Sequence, residues 1–117
     1  MQIRMLILAA IAAAVITQPS ASNAQSMVYG GGNASCGTYI SYKNQDAVLY
    51  GAAQTWTTGY LTAMGQQLRI ADLLAGTDLN GVTAWLDNYC AQNPIESYYT
   101  ANYQLVIFLA RRQAHSN

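Results

Sequence analysis

The stretch Trp85–Pro94, WLDNYCAQNP, leads from an apolar helical pattern through a cysteine to a helix stop. Trp85, Leu86, Tyr89 and Cys90 recur at spacings of one helical turn, which places them on one face of a helix. We therefore predict that Trp85, Leu86 and Tyr89 belong to a core and that Cys90 points into it.

The N-terminus indicates whether that cysteine meets oxidising conditions. Residues 1–24 carry the parts of a secretory signal, namely Arg4, an apolar run over Met5–Ile16 and small residues at Ser22–Ala24. The run is shorter than the roughly 20 apolar residues that a membrane-spanning helix needs. We predict a cleaved signal peptide over residues 1–24 and an exported protein without a membrane anchor.

Cys36 is the only other cysteine of the chain. In an exported protein an even number of cysteines favours a disulfide, and two cysteines allow only one pairing. A bridge from Cys36 to Cys90 closes a loop worth roughly 4 kcal/mol on the chain-entropy model. Because a domain of this size has a marginal core, that contribution is expected to decide its stability.

The N-terminal part of the mature chain divides at the first cysteine. Residues 25–35 contain a GGGN stretch and no apolar period, which predicts a flexible lead-in. The folded domain is expected to span residues 36–112. Its first long helix is predicted over about 46–67, with Trp56 and Tyr60 on the inward face.

The next helix is predicted to begin after Thr77 or Asp78, either of which can act as N-cap. A further helix is predicted to begin at Asn93, because Pro94 suits the first helical position and Glu96 completes a capping box. That helix is expected to run to Arg112, and residues 113–117 to form a tail.

The last predicted helix is apolar on more than one side. Tyr98, Tyr99, Tyr103 and Phe108 together span more than half of its circumference. A helix of this kind is either deeply buried or covered by a partner, and tyrosine suits contact surfaces. We predict these four residues as a partner-contact surface.

The whole pattern predicts an all-α protein. There is no strand alternation of any length, no repeat and no second domain. We expect a small helical bundle of about three main helices plus a short segment at Cys36, closed by one disulfide.

The composition argues against several kinds of function. The chain has no net charge and only 9% charged residues, so it offers no basic patch for nucleic acid. His115 is the only histidine and lies near the chain end, which leaves no Ser/His/Asp set. The cysteines lack the spacing of a zinc or redox site. We predict a non-enzymatic protein with no metal and no cofactor.

Three motifs occur in a characteristic order: CGTYI from Cys36, WTTGY from Trp56, and YCAQNP from Tyr89. This order resembles the HdeA/HdeB family of small periplasmic acid-stress chaperones over roughly residues 35–112. The resemblance implies a disulfide-linked helical fold with Cys36 and Cys90 as the family's bridge. It also implies a periplasmic homodimer that binds unfolded periplasmic proteins in acid, without a catalytic residue.

A second family of similar design is also compatible with the chain. Exported immunity proteins that neutralise type VI secretion amidases are likewise helical, disulfide-bonded and dimeric. In that case the partner is a single protein toxin at neutral pH rather than many unfolded chains. A purely structural envelope role is the third alternative.

Overall fold

The computed structural model describes residues 27–116, so the predicted signal peptide lies outside the described residues. In this part of the chain a 3-10 turn at Gly30–Asn33 precedes four α-helices: α1 (Cys36–Gln45), α2 (Ala47–Leu68), α3 (Leu79–Gln92) and α4 (Tyr98–His115). The all-α class is confirmed. There are four helices rather than about three, because the segment that opens at Cys36 is itself a helix of 10 residues.

Each helix begins at a side chain that accepts a hydrogen bond from the first turn. Such N-caps satisfy backbone N–H groups that have no partner within the helix. The predicted cap of α3 at Asp78 is among them. The four caps are Ser35 for α1, Asp46 for α2, Asp78 for α3 and Ser97 for α4.

The predicted start of the last helix at Asn93 is wrong. The backbone N–H of Asn93 donates to the carbonyls of Tyr89 and Cys90, and its side-chain amide donates to Tyr89 again at 2.9 Å. Asn93 therefore closes α3 instead of opening α4. The turn that follows bonds to α1: Gly37 N donates to Pro94 O at 2.9 Å and Cys36 N donates to Glu96 O at 2.7 Å.

Both ends of the folded domain extend beyond the predicted bounds. The predicted tail over residues 113–117 begins inside α4, which continues to His115. The lead-in was predicted as flexible over residues 25–35, yet Gly30–Asn33 forms a 3-10 turn in which Gly32 is buried. These glycines lack side chains, so their backbone packs directly on α2.

Cys36 and Cys90 form a disulfide, with their Cα atoms 4.6 Å apart. The bridge joins the first turn of α1 to the last turn of α3, and both cysteines are fully buried. One turn further along each helix, Tyr39 Oη donates to Asp87 Oδ1 at 2.8 Å. The two helices therefore run antiparallel, with the disulfide at one end of their contact.

The core has tyrosine rings at its centre. Tyr39 of α1 and Tyr98 of α4 are fully buried and stack with ring centroids 4.3 Å apart. Of the predicted core residues, Leu86 is buried, whereas Trp56, Tyr60, Trp85 and Tyr89 are half-buried and pack against the edge of the core. The remaining apolar core side chains are Ala53, Leu61, Leu73, Val82, Ala101, Leu105, Val106 and Leu109.

Candidate protein-binding surface

Three of the four predicted contact residues lie on the surface. The exposed fractions are 36% for Tyr99, 44% for Tyr103 and 43% for Phe108. The periodicity of α4 places Tyr99 and Tyr103 on one flank of the buried face and Phe108 on the other. The helix therefore presents aromatic rings on both sides of the stripe that faces the core.

The prediction for Tyr98 is wrong, because this residue is fully buried. It occupies the first position of α4 and points towards α2, where its hydroxyl lies 2.7 Å from Thr57 Oγ1. A buried tyrosine needs such a partner for its hydroxyl, and α2 supplies it. Tyr98 therefore anchors the start of α4 and is not available to a partner.

An aromatic row joins α2 to α4, and we call it the α2/α4 strip (Trp56, Tyr60, Tyr99, Tyr103). Trp56 stacks on Tyr60 with centroids 5.2 Å apart, Tyr60 meets Tyr99 edge to face at 5.7 Å, and Tyr99 lies over Tyr103 at 6.5 Å. Offset and edge-to-face pairs of this kind are favourable arrangements of aromatic rings. The rings therefore hold one another in place although they are partly exposed.

A second row, the α3/α4 strip, lies on the other flank of α4. Trp85 stacks on Tyr89 with centroids 5.3 Å apart and on Phe108 at 5.9 Å. The guanidinium of Arg112 lies 5.8 Å from the centroid of Phe108, within the range of a cation–π contact. The two strips together place stacked, half-exposed aromatic rings along both flanks of α4.

A groove runs along α2 on the side that faces α3 and residues 69–78. Its larger part has a volume of about 700 Å³ and is lined mainly by apolar side chains. A smaller part of about 310 Å³ lies between α2 and α3 and shares Thr58 and Leu79 with the larger one. Apolar lining residues include Leu61, Ile70, Leu73, Leu74, Leu79, Val82 and Leu86.

Three of the threonines that line this groove are less polar than their type indicates. Thr55 Oγ1 donates to Gly51 O at 3.0 Å, Thr58 Oγ1 to Thr55 O at 2.7 Å and Thr62 Oγ1 to Thr58 O at 2.8 Å. Each hydroxyl hydrogen is therefore used within α2. The α2 wall offers these side chains to a ligand as acceptors and apolar surface, not as donors.

A polar cluster that is not among the sequence predictions joins three helices. Asp87 of α3 accepts hydrogen bonds from Tyr39 at 2.8 Å and from Tyr50 at 3.0 Å. Lys43 Nζ lies 2.8 Å from the same carboxylate, and this is the only ion pair among the described residues. The side chain of Asp87 is 13% exposed and that of Lys43 is 46% exposed. The cluster ties α1 and α2 to α3 beside the disulfide.

The pKa values of Lys43 and of the tyrosines packed in this part of the protein are raised. Burial raises the pKa of the Tyr39 phenol, and the neighbouring Tyr98 and the hydrogen bond to Asp87 raise it further. Burial likewise raises the pKa of Tyr50 and of Tyr60. The hydrogen bond to Asp87 and the charge of its carboxylate raise the pKa of Lys43. The folded protein therefore keeps these protons at a pH where an unfolded chain has lost them.

We expect the protein to lose stability above about pH 10, the ordinary pKa of tyrosine. A raised folded-state pKa means that the folded state binds more protons than the unfolded state in that range, so the free energy of unfolding falls as pH rises. Tyr39 alone accounts for a slope of about 1.4 kcal/mol per pH unit. Urea midpoints measured between pH 8 and pH 11.5 check this.

Tyr39→Phe is the control for that titration. It lacks the phenolic proton, so its stability at pH 8 is lower but its decline above pH 10 is shallower than that of the wild type. Parallel declines of the two proteins would show that Tyr39 does not carry the pH dependence.

No family model, curated protein or solved structure matches the chain. Within residues 27–116, no group of three or more His, Cys, Asp or Glu side chains is arranged to hold a metal ion. In the same residues, no helix has both the length and the apolarity to cross a membrane.

Proposed function

We propose that this chain is an exported, non-enzymatic binding protein of the holdase type, whose partners are unfolded periplasmic proteins. The observation that carries the proposal is the pair of aromatic strips along the flanks of α4. Tyr99, Tyr103 and Phe108 are each at least 36% exposed although they belong to stacked rows. Large, partly exposed aromatic rings in contiguous rows are typical of protein contact surfaces.

The chemistry of the strips suits chains that expose apolar side chains. Tyrosine offers an apolar ring and a hydroxyl that bonds to backbone groups, so it accommodates varied sequences. The groove along α2 adds leucine and isoleucine side chains, and the hydroxyl hydrogens of Thr55, Thr58 and Thr62 in its lining are already used within the helix. Binding through these surfaces depends on shape and apolar area rather than on charge, which agrees with the scarcity of charged residues.

The disulfide and the order of the motifs support a place in the HdeA/HdeB family as part of this proposal. Acid is the expected stress for that family, but this chain has few groups to titrate in acid. The strips are already exposed in the folded protein. We therefore expect binding to begin at neutral pH and not to depend on acid unfolding.

The second candidate is an immunity protein that neutralises one type VI secretion amidase. The observation that favours it is the fixed geometry of the rings, because rings that stack on one another present one defined shape. Such preorganisation favours tight binding to one folded partner. The two candidates differ in their partners: many unfolded chains, or one folded toxin that binds at neutral pH with fixed stoichiometry.

The test is suppression of aggregation of a denaturing client protein by the oxidised mature chain, at pH 7 and at about pH 2.5, with an apolar-surface dye in parallel. We expect protection and dye binding at both pH values. The triple variant Tyr99→Ser, Tyr103→Ser, Phe108→Ser is expected to bind clients at least about tenfold more weakly, because it removes the exposed rings of both strips.

A matched control separates the strips from general surface hydrophobicity. Val48 and Ile95 are 80% and 94% exposed and lie outside both strips. The double variant Val48→Ser, Ile95→Ser removes exposed apolar area elsewhere and is expected to protect clients as the wild type does. A wild type that is inert and dye-negative at both pH values would refute the holdase proposal and leave the single folded partner as the candidate.

A further inference from the structure

The segment before α1 lies across the end of the α2/α4 strip. We call residues 29–33 the strap. Trp56 Nε1 donates to the backbone carbonyl of Tyr29 at 2.8 Å, and Gly30 turns the chain with a φ of 67°, a left-handed conformation that favours glycine. The strap thus contacts Trp56 through its main chain.

Gly32 makes the closest of these contacts. Its Cα lies against the six-membered ring of Trp56, and a Cβ at this position would overlap that ring. Gly31 also packs on the Trp56 side chain and on the backbone of Ala53. Only glycine at position 32 lets the segment lie so close to the indole.

The surface beneath the strap is continuous with the exposed part of the α2/α4 strip. Trp56 stacks on Tyr60, and Tyr60 contacts the half-exposed Tyr99. The same row therefore begins under the strap and ends at Tyr103 on the open surface. The strap covers the inner part of one aromatic row and leaves its outer part free.

We propose that Trp56 and its neighbours form a peptide-binding site that the strap occupies in cis. The ligand class is a tightly turned backbone of glycine or other small residues, as in the strap, whose carbonyl accepts from Trp56 Nε1 and whose chain continues along Tyr60 and Tyr99. A client segment of this kind takes the place of the strap. This inference rests on the proposed function, since it defines which client segments the α2/α4 strip holds.

The attachment of the strap permits such an exchange. On its C-terminal side the chain is fixed, because Tyr98 N donates to Ala34 O at 2.8 Å and Cys36 is held by the disulfide. The strap can therefore leave Trp56 by rotation about Ala34 while the helices stay in place. A tethered segment acts at an effective concentration in the millimolar range, so the wild type binds a free peptide only weakly.

Gly32→Val tests the inference in the full oxidised chain, with Gly59→Val as the matched control. A Cβ at Gly59 has no neighbour within 4 Å, so the control makes the same change on α2 without touching the strap. The probe is a labelled peptide with the strap's own sequence, MVYGGGNAS. We expect Gly32→Val to bind it at least about tenfold more tightly than the wild type or the control, because the competing segment has been displaced.

The indole N–H signal of Trp56 in a nitrogen-15 NMR spectrum reports where the strap lies. It is expected to move in Gly32→Val, to stay in Gly59→Val, and to return towards its wild-type position when the peptide binds. A signal that does not move in Gly32→Val would overturn the inference. So would a displaced strap without any gain in peptide binding, provided that circular dichroism shows a folded variant.

These outcomes are separate from those of the holdase assay. If the wild type fails to protect clients but Gly32→Val gains the peptide, the peptide site stands and the holdase proposal fails. If the wild type protects clients and Gly32→Val gains no peptide, the holdase proposal stands and the site under the strap is wrong.

Discussion

Replacing Cys90 with serine is expected to lower the melting temperature by more than about 10 °C. The bridge joins residues 54 apart in sequence, and closing such a loop stabilises the folded state by roughly 4 kcal/mol on the chain-entropy model. In a domain of this size each kcal/mol shifts the melting temperature by about 4 to 8 °C. Thermal melts followed by circular dichroism measure the effect.

The structure gives a second reason for a large effect. Cys36 begins α1 and its backbone N–H donates to Glu96 O, while Cys90 lies in the last turn of α3. The bridge therefore holds together the start of α1, the end of α3 and the turn before α4. Both sulfur atoms are buried, so a serine hydroxyl at either position also loses its hydration.

Two controls test the assignment to the bridge. The double variant Cys36→Ser, Cys90→Ser should melt close to Cys90→Ser alone. The single and the double variant break the same bond, so the effects of the two substitutions do not add. The double alanine variant removes the bridge without burying a hydroxyl and should still melt well below the wild type. A Cys90→Ser melt that coincides with that of the oxidised wild type would contradict the prediction.

The parts of the fold that local signals determine were predictable from the sequence. The predicted helix over about 46–67 agrees with α2, which runs over Ala47–Leu68. Its apolar residues recur at helical spacing along this range, and Asp46 caps its start. α3 begins after Asp78 as expected. Periodicity and capping act over one or two turns, so a single sequence carries them.

The start of α4 was missed because two local signals competed and a distant contact decided between them. Asn93, Pro94 and Glu96 satisfy the rules for a helix start, but Asn93 bonds back to α3 and the turn pairs with α1. Ser97, the true N-cap, accepts from Thr100 N at 3.0 Å. Neither the pairing with α1 nor the pocket that buries Tyr98 is visible in the local sequence.

The strap was missed for a related reason. A glycine-rich stretch is typical of a flexible linker, and nothing within it indicates a partner. Its fixed position depends on Trp56 in α2, whose ring packs directly against the glycine backbone. The absence of side chains, which predicts flexibility when read alone, is here what permits the contact.

The cluster at Asp87 could have been found from the disulfide. If two antiparallel helices are joined at Cys36 and Cys90, one turn along each of them brings Tyr39 opposite Asp87. Lys43 follows one turn further along α1. In a chain with 9% charged residues, an aspartate on an inward face beside a cysteine already indicates a buried partner.

Replacing Asp87 with alanine is expected to destabilise the fold by about 3 kcal/mol, which is the cost of leaving a buried polar partner unpaired. Tyr39 is fully buried and donates its hydroxyl to Asp87. Without the carboxylate that hydroxyl has lost its acceptor, and Tyr50 loses one as well. Urea unfolding at pH 7 measures the change.

The tyrosine hydrogen bonds, and not the ion pair, should account for most of that loss. Lys43 is 46% exposed, and exposed ion pairs contribute little because water screens them. Lys43→Met should therefore have a small effect, and Asp87→Asn, which keeps an acceptor for Tyr39, an intermediate one. Asp46→Ala, which removes an exposed N-cap with a single bond, should cost about 1 kcal/mol and serves as the matched aspartate control. If Lys43→Met were as damaging as Asp87→Ala, the ion pair would be the stabilising contact, and the position of Asp87 opposite Tyr39 would have no special energetic role.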